Sequence, residues 1–592
     1  MFDPVSTEMI KSGAIIARFS ICFRVILQQI IFIFKNGQYG WTIAFSGRRS
    51  YIHAAENRLL VNSNKRLFMT VLDWSIIAAY LAAMVGMSVY LGRNQKNQDD
   101  YYVGGRTLPW WAIGVSTMAT QTSAISFISK PAFVALKPGG GLTWLQFELA
   151  LPFAIIVVMV FLLPFFRKLQ LVSVYEYLEM RYDASVRYLI SGVFLVSRGM
   201  AAGVIIYATA IVLAVCLEVP LWITILLIGV VTLIYDTIGG MKAVVYSDVV
   251  QMVILLFGIM ACIFFAIEEV GSIAKIFAIF PDDRMRAISM ASGFDGSSEA
   301  PFWGILLGGF FLYISYYGTD QSQVQRGLSS DTTEATKKSL FFNGIVRFPL
   351  TIMYMLMGIA VGAVYFQSAD LQAAVPPDKL DYMIPQYILL HLPSGLRAIL
   401  FAAILAAAMS SLDSALNSLS AATMRDFITR KRHYESQREL FLSKVVTVIW
   451  GLSITAFAFA VGAIQGTVVE VVNKIGSAFY GPIVATFLIG VISKRVNSRG
   501  IFAGIIAGVG LNLYLWLLQP QVYWMWWNLI GCAVTAVVAY GFSGFGAAPD
   551  KKTINEYTIT DGTIFTAERN WMPYYIALGV YFVLMLAILF AL

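Results

Sequence analysis

The chain has 592 residues, of which 58% are hydrophobic and 13% are charged. Soluble domains carry about 25% charged residues, so this composition indicates an integral membrane protein. The net charge of +8 does not indicate a nucleic acid partner, because the basic residues lie in short loops between apolar segments, as the positive-inside rule predicts. The sequence contains no phosphate-binding loop and no metalloprotease motif, so we expect no enzyme.

The first 68 residues differ from the rest of the chain. They contain nine Lys or Arg, and their one apolar run is interrupted by Arg18 and Arg24. No small-residue cleavage site follows that run, so it does not have the pattern of a signal peptide. Because Met69 directly precedes the first clear apolar segment, we interpret 1–68 as an atypical basic extension. It is either absent from the functional protein or lies at the membrane surface, and the transmembrane domain is expected at 69–592.

From Thr70 onward, apolar segments of about 20 residues follow one another, each long enough to cross a bilayer as a helix. The fourteen segments lie at 70–92, 109–136, 142–166, 186–216, 219–238, 243–267, 302–322, 341–367, 396–424, 442–463, 469–493, 500–518, 522–544 and 573–592. Basic residues occupy the loops at 93–108, 167–185, 323–340, 425–441, 494–499 and 547–571, whereas 268–301 and 368–395 are richer in Asp and Glu. This bias predicts that the basic loops face the cytoplasm and that both ends of 70–592 lie outside.

Two of these spans contain residues that interrupt an apolar helix. The stretch 119–126 places hydroxyl and amide side chains in the middle of the second span, and Gly308 and Gly309 are expected to break the seventh. The second and seventh spans each begin a block of five, 109–267 and 302–493. Discontinuous helices at equivalent positions in two halves predict an all-helical inverted-repeat transporter with its site near the membrane midplane.

The ninth span carries an unusually polar stretch, residues 407–418. Ser411, Ser414 and Ser418 recur at helical spacing and therefore share one face, flanked by Ser410 and Asp413. An ionisable residue at membrane depth is expensive and indicates a functional site. Hydroxyl, carbonyl and carboxylate oxygens suit a sodium ion. The alternative is a polar seam that holds neighbouring helices together.

Five stretches, in order along the chain, carry a resemblance to a known family. They are 99–110 (DDYYVGGRTLPW), 239–248 (GGMKAVVYSD), 318–326 (GTDQSQVQR), the serine-rich helix, and 480–482 (YGP) with 494–497 (KRVN). From Thr70 to about Gly500 the chain resembles the sodium:solute symporter family, which includes sodium–glucose, sialic acid, proline and iodide cotransporters. The resemblance implies a LeuT-like fold of about 14 transmembrane helices, a 5+5 inverted repeat with one extra helix before it and three after.

The resemblance also implies sodium sites. A first site would use backbone carbonyls and hydroxyls, namely those of Ala119, Thr122, Ala407, Ser410 and Ser411. A second site would combine Asp248, Asp413 and Ser414, although Asp413 departs from the Ser or Thr of the family. Two carboxylates at one site repel each other unless a cation lies between them or one is protonated. The alternative for Asp248 is a helix-end cap.

The resemblance also indicates substrate-binding positions. They are Glu148, Arg198, Tyr316 as an aromatic inner gate, Arg347 in place of a lysine, and Asn473 in place of a glutamine. We add the polar residues of the interrupted second span, Gln121, Ser123 and Ser126. The alternative for the buried cations is structural pairing, of Lys130 with Glu148 and of Arg198 with a carboxylate.

These inferences predict a symporter that uses Na+ as coupling ion to import a small polar organic solute, such as a sugar, sugar acid or other carboxylate, by alternating access. Two alternatives stay open. One is a proton-coupled symporter in which Asp248 and Asp413 relay protons, and the other is a transporter-like sensor, which the absence of a soluble domain after the last span disfavours. The expected partners are the solute and the lipid bilayer, with no nucleic acid, in a plasma membrane that is expected to be a bacterial inner membrane. Oligomeric state, solute identity and the sodium:solute ratio are left open.

Overall fold

The computed structural model describes residues 69–296, 300–432, 434–460, 468–559 and 568–592. The predicted N-terminal extension, 1–68, lies outside the described residues. Within them the chain is helical, and the one β interaction is an isolated parallel bridge between Leu108 and Ser330. The class predicted from the sequence, an all-helical polytopic membrane protein, is therefore confirmed.

We number the principal helices in chain order. The first seven are α1 (Val71–Leu91), α2 (Trp110–Gln121), α3 (Ala124–Ala135), α4 (Leu142–Lys168), α5 (Ala184–Leu217), α6 (Leu221–Val270) and α7 (Gly304–Gly318). The remainder are α8 (Gln321–Leu328), α9 (Thr333–Gln367), α10 (Leu396–Ala422), α11 (Ser436–Ala460), α12 (Val468–Ile492), α13 (Ser498–Leu518), α14 (Trp526–Ser543) and α15 (Met572–Ala591). Short helices in the connections include Gln98–Val103, Glu176–Arg181, Ile273–Ile279, Ala369–Ala374, Met383–His391 and Lys551–Tyr557.

Eleven helices in the described part of the chain are long and apolar enough to cross a membrane. One of them, the 50-residue α6, covers two predicted spans. The shorter apolar helices α3 and α7 belong to the two spans expected to be interrupted. Each of the fourteen predicted spans therefore contains a helix.

Local sequence explains where several helices begin. Thr70 and Asp73 form a capping box at the start of α1, in which each side chain accepts a hydrogen bond from the other residue's backbone N–H. Asp183 caps α5 and Asn497 caps α13 in the same general way, through a side-chain oxygen that accepts from the first turn. These polar residues directly precede apolar runs, which places the helix starts next to the loops.

The bend in α6 depends on one glycine. Gly240 has φ 58° and ψ −161°, a backbone conformation that only glycine adopts without strain. A Cβ atom at this position would also lie 2.7 Å from the carbonyl oxygen of Tyr101. Gly240 therefore marks a kink between two helical segments of α6, at which the chain changes direction between the fifth and sixth predicted spans.

The second span is broken as expected, between α2 and α3 at Thr122 (φ −100°, ψ 67°). The break predicted at Gly308 and Gly309 was wrong in position. Both residues have right-handed helical angles. Within α7 the helix continues through them, from a π turn at Gly304–Gly308 into the α-helical segment Gly309–Gly318. A Cβ on Gly308 would collide with the backbone of Met525, so this glycine permits close packing against α14. The seventh span breaks instead at Thr319 (φ −137°), just before α8.

The helix with the serine stretch occupies the centre of the fold. In the most apolar 18-residue stretch of α10 and its extension to Ile428, 94% of the residues are buried inside the protein. The corresponding share is 22% in α1 and 28% in α13. Its neighbours include α1, α5, α6 and α11. The outer helices turn apolar residues such as Val253, Val537 and Val580 away from the protein, as lipid-facing helices do.

Ion pairs connect distant parts of the chain at the end that the charge bias places in the cytoplasm. Glu179 accepts hydrogen bonds from Arg430 at 2.9 Å and from Arg187 at 2.7 Å. Chiefly because of the Arg430 hydrogen bond, the pKa of Glu179 falls to about 2, so this carboxylate stays ionised at neutral pH. The loop helix Glu176–Arg181 is thereby tied to α5 and to the segment after α10.

A second ion pair anchors the last helix. Lys337, near the start of α9, contacts both carboxylate oxygens of Glu568, which directly precedes α15. Tyr575 donates to the same carboxylate, and the Lys337 ammonium lies 5.5 Å from the ring centroid of Trp571. These side chains are buried or nearly so, hence the terminal helix is held by a fixed polar cluster as well as by apolar packing.

We expect Gly240→Ala to lower the thermal stability of the detergent-purified protein, because alanine at this φ and ψ costs about 1–3 kcal/mol. The matched control is Gly86→Ala in α1, where a Cβ would meet no atom within 4 Å. Alanine favours a helix over glycine by about 1 kcal/mol, so the control should melt at the same temperature or higher. Equal melting temperatures for the two variants would contradict this account of the bend.

Candidate functional site

The open end of α2 lies against the serine face of α10. The Ser411 hydroxyl is 3.2 Å from the carbonyl oxygen of Thr120 and 3.4 Å from that of Ala407. The Thr120 hydroxyl is 2.9 Å from that of Ser414. The structure therefore brings together the broken helix and the hydroxyl stripe, which the sequence places almost 300 residues apart.

This junction contains the residues predicted for the first sodium site. Ala119 lies in the last turn of α2 and Thr122 directly follows it, so both carbonyls are at the C-terminal end of a half-helix. Ala407, Ser410 and Ser411 lie on the buried helix opposite. Half-helix C-termini and unwound carbonyls are the groups that hold sodium in transporters of this architecture, and this donor set fits such an ion.

Asp248 is hydrogen-bonded to one of these predicted ligands. Its carboxylate accepts hydrogen bonds from the hydroxyls of Ser410 and, at 2.5 Å, Ser116. Because the Ser410 proton points to Asp248, the lone pairs of the same hydroxyl are left for a cation. Asp248 is fully buried in α6 and lies beside the residues predicted for the first site.

The residues predicted for the second sodium site are also adjacent, but a guanidinium lies among them. Nη2 of Arg326 is 3.3 Å from a carboxylate oxygen of Asp248 and contacts the Ser414 hydroxyl. Asp413 accepts from Tyr235 at 2.6 Å and from Ser414 at 3.1 Å. We did not predict that Arg326 would lie between these residues. It is the last residue of the 318–326 motif, one of those that carry the family resemblance.

Next to this junction is a cavity between the two halves of the fold. Seven of the eight predicted substrate residues line it, namely Gln121, Ser123, Ser126, Arg198, Tyr316, Arg347 and Asn473. Ser411 and Thr120 also reach its wall, so the cavity and the candidate sodium site share residues. Solute and ion would therefore be close enough to influence each other.

The eighth residue, Glu148, lies behind the cavity wall. Its fully buried carboxylate accepts from Arg347 at 3.2 Å, Thr351 at 2.8 Å and Tyr313 at 3.0 Å, and it lies 4.0 Å from Lys130. The structural pair expected as the alternative for Lys130 is thus present. In this arrangement Glu148 orients two cations that line the cavity.

The other cation in the cavity, Arg198, is also paired. Arg198 lies 3.9 Å from Asp320, the residue that caps α8. Nε of Arg198 and Nη1 of Arg347 are buried and have no hydrogen-bond partner in the described part of the chain. Each guanidinium therefore retains a donor that a ligand could use.

Aromatic rings form the apolar part of the cavity. Trp144 and Phe147 stack at 5.6 Å, and Tyr316 packs edge-on against Tyr317 at 5.5 Å. Tyr480 lines the cavity as well. We did not predict Asp320, Trp144, Phe147 or Tyr480 as cavity residues. Asp320 and Tyr480 stand within the motifs, which was the available signal, whereas nothing local distinguishes Trp144 and Phe147 from other apolar residues of their span.

A helix broken at membrane depth, packed on a hydroxyl-bearing helix beside a cavity with buried charges, is the arrangement of a sodium-coupled secondary transporter. The model of the sodium:solute symporter family matches residues 101–508. The chain belongs to that family.

Curated relatives agree with this assignment. The chain is 28% identical to the sodium/sialic acid symporter NanT of Aliivibrio fischeri over 79% of its own length and 92% of the relative. It is 29% identical to the sodium/sialic acid symporter SiaT of Proteus mirabilis, over 74% and 88%. The human sodium/iodide cotransporter is 27% identical, over 77% and 71%.

Solved structures show the same architecture. A substrate-bound, outward-open Na+-coupled sialic acid symporter aligns with a TM-score of 0.72 at 26% identity, covering 81% of this chain and 99% of that one. The nucleobase-cation-symport-1 family transporter Mhp1 aligns with a TM-score of 0.51 at 11% identity, which supports the fold alone. The predicted LeuT-like fold is confirmed. The chain is a multi-pass membrane protein of a transporter family, and its coupling ion is sodium.

We expect Ser411→Ala to raise about tenfold the sodium concentration that gives half-maximal thermal stabilisation, which corresponds to roughly 1.4 kcal/mol of binding free energy. The reason is that the substitution removes a hydroxyl from the junction of α2 and α10. Melting curves of the purified protein in sodium and in potassium measure the effect.

Ser418→Ala is the matched control, because Ser418 is on the same face of α10 but bonds only to the carbonyl of Ala415 among the described residues. Its sodium dependence should equal that of the unmodified protein. An unchanged sodium dependence in Ser411→Ala would exclude this residue from the first site.

Proposed function

We propose that this protein imports a small organic monoanion together with sodium, and that a sugar acid is the best supported class of solute. The observation that best supports this proposal is the charge of the side chains at the cavity. Lys130, Arg198 and Arg347 contribute three cations, and the carboxylates beside them are Glu148 and Asp320. With Lys130 protonated, one positive charge is left over, which a single carboxylate would neutralise.

The two unpartnered guanidinium nitrogens support the same proposal. A buried donor without an acceptor costs free energy, and a carboxylate that accepts from Arg198 or Arg347 removes that cost. Arginine is well suited to this task, because its planar fork can bind both oxygens of a carboxylate. A neutral sugar would satisfy the hydrogen bonds but would leave the charge uncompensated.

The remaining walls fit the body of a polyhydroxylated solute. Ser123, Ser126 and Asn473 offer polar groups, while Trp144 and Tyr316 offer aromatic surface. Such a mixture of apolar faces with a few placed polar groups is usual for small-molecule sites. The same walls also accommodate shorter monocarboxylates. Experiment therefore has to decide which class of organic anion is the solute.

Coupling follows from the shared helix break. Sodium between the carbonyls of α2 and the hydroxyls of α10 would fix the geometry of the break, and Gln121, Ser123 and Ser126 at the same break line the solute cavity. Each ligand therefore binds better when the other is present, which is positive coupling.

The same reasoning supports the proposed residue roles and domain limits. We place the first sodium site at Ala119, Thr122, Ala407, Ser410 and Ser411, and the solute site in the cavity. The transmembrane domain would be 69–592, with repeats at 109–267 and 302–493, each of which begins with a broken helix. The symporters of Aliivibrio and Proteus support a bacterial inner membrane as its location.

A solute screen by thermal stability tests the proposal. Sialic acid and lactate should each raise the melting temperature in sodium but not in potassium, whereas glucose and the methyl ester of sialic acid should not. Arg198→Gln should weaken binding of the stabilising anion about 30-fold, because a hydrogen bond to a charged group contributes roughly 2 kcal/mol.

The control for that variant is Arg397→Gln, which removes a buried arginine that pairs with Asp73 at 3.5 Å away from the cavity. It should bind the anion as the unmodified protein does. Equal stabilisation by the acid and by its methyl ester would refute a monoanion site.

A further inference from the structure

Arg326 is a buried arginine placed among the oxygens expected to hold a second sodium ion. It projects from α8, directly after the break in the seventh span, and its side chain is 1% exposed. Nε donates to the Ser116 hydroxyl at 2.7 Å, and Nη2 lies 3.3 Å from Asp248 and also contacts Ser414. The guanidinium thus has partners on α2, α6 and α10.

This position conflicts with a sodium ion at the same place. One nitrogen, Nη2, bridges Asp248 and Ser414, which are two of the three residues of the predicted second site. A cation between them would need the space and the lone pairs that this nitrogen already uses. The third residue, Asp413, accepts from Tyr235 and Ser414 instead. The ligand set does not fit a second sodium while Arg326 is there.

The guanidinium is fixed from its other side as well. Nη1 donates to the carbonyl of Ser322, one turn earlier in α8. Arginine suits such a buried position because it is always charged, presents five donors in a plane and is more weakly hydrated than lysine. Taking away either partner of a buried ion pair leaves an uncompensated charge, which holds Arg326 against Asp248.

We propose that the Arg326 guanidinium replaces the second sodium ion, as a cation covalently attached to the protein, so that the carrier binds one sodium per cycle. The carboxylates around it are consistent with that role. Asp413 on α10 and Asp236 on α6 are both fully buried and lie within electrostatic range of Arg326, in addition to Asp248. The attached charge therefore offsets part of the repulsion among these aspartates.

The experiment counts sodium ions on the purified full-length protein, by equilibrium binding of radioactive sodium at saturation without solute. We expect one ion for the unmodified protein and one for Asp413→Asn, because Asp413 accepts from Tyr235 and Ser414 and holds no second sodium. Two ions that fall to one in Asp413→Asn would overturn the proposal. The count needs no solute, so a failure of the monoanion proposal would leave it unaffected.

A variant that removes the positive charge of Arg326 tests the proposal from the opposite side. Arg326→Gln should bind two ions, since Asp248 and Ser414 become available to sodium. Arg397→Gln, the buried arginine of the Asp73 pair, should still bind one ion. A folded Arg326→Gln that binds one ion would show that the guanidinium is not what excludes the second sodium. If that variant fails to fold, the counts for the unmodified protein and Asp413→Asn decide.

Discussion

A helix that breaks at membrane depth exposes carbonyl oxygens that lipid cannot satisfy, and the rest of this structure depends on that constraint. The open end of α2 is covered by α10, whose Ser411 donates to the Thr120 carbonyl. For this contact to exist, the polar helix must occupy the centre of the protein, and α10 is accordingly the most buried of the long helices described. The apolar helices α1 and α13 face outward around it. The need to cover this stretch of backbone therefore accounts for the central position of α10.

The sequence was sufficient for the number of spans and the break at Thr122, because long apolar segments and polar residues within them are local signals. It was misleading at Gly308, since glycine serves close helix packing as readily as it serves a break, and only the position of Met525 distinguishes the two. The partner of Arg326 could not be predicted either. A motif shows that an arginine is present, but the contacts with Ser116 and Asp248 depend on how four helices meet.

The charges of the cavity show how buried ions can position one another. Glu148 does not reach the cavity, yet it holds Arg347 and Lys130 at its wall through a network that also includes Thr351 and Tyr313. Similarly, Asp248 directs the Ser410 hydroxyl. In both places a carboxylate orients another side chain, which faces the cavity or the predicted sodium site. With one bound sodium and a monoanionic solute, the two cargo charges would cancel, so the membrane potential would act only on charges that belong to the protein.

The ion pair that anchors α15 has a consequence for biosynthesis. Lys337 and Glu568 are 231 positions apart, so the lysine is made and inserted long before its partner exists. At about 5–20 residues per second, the interval is roughly 10–50 s. During that time Lys337, near the start of its helix, can extend its ammonium to the bilayer surface. The contact cannot form before Glu568 has left the ribosome, so it belongs to the last steps of assembly.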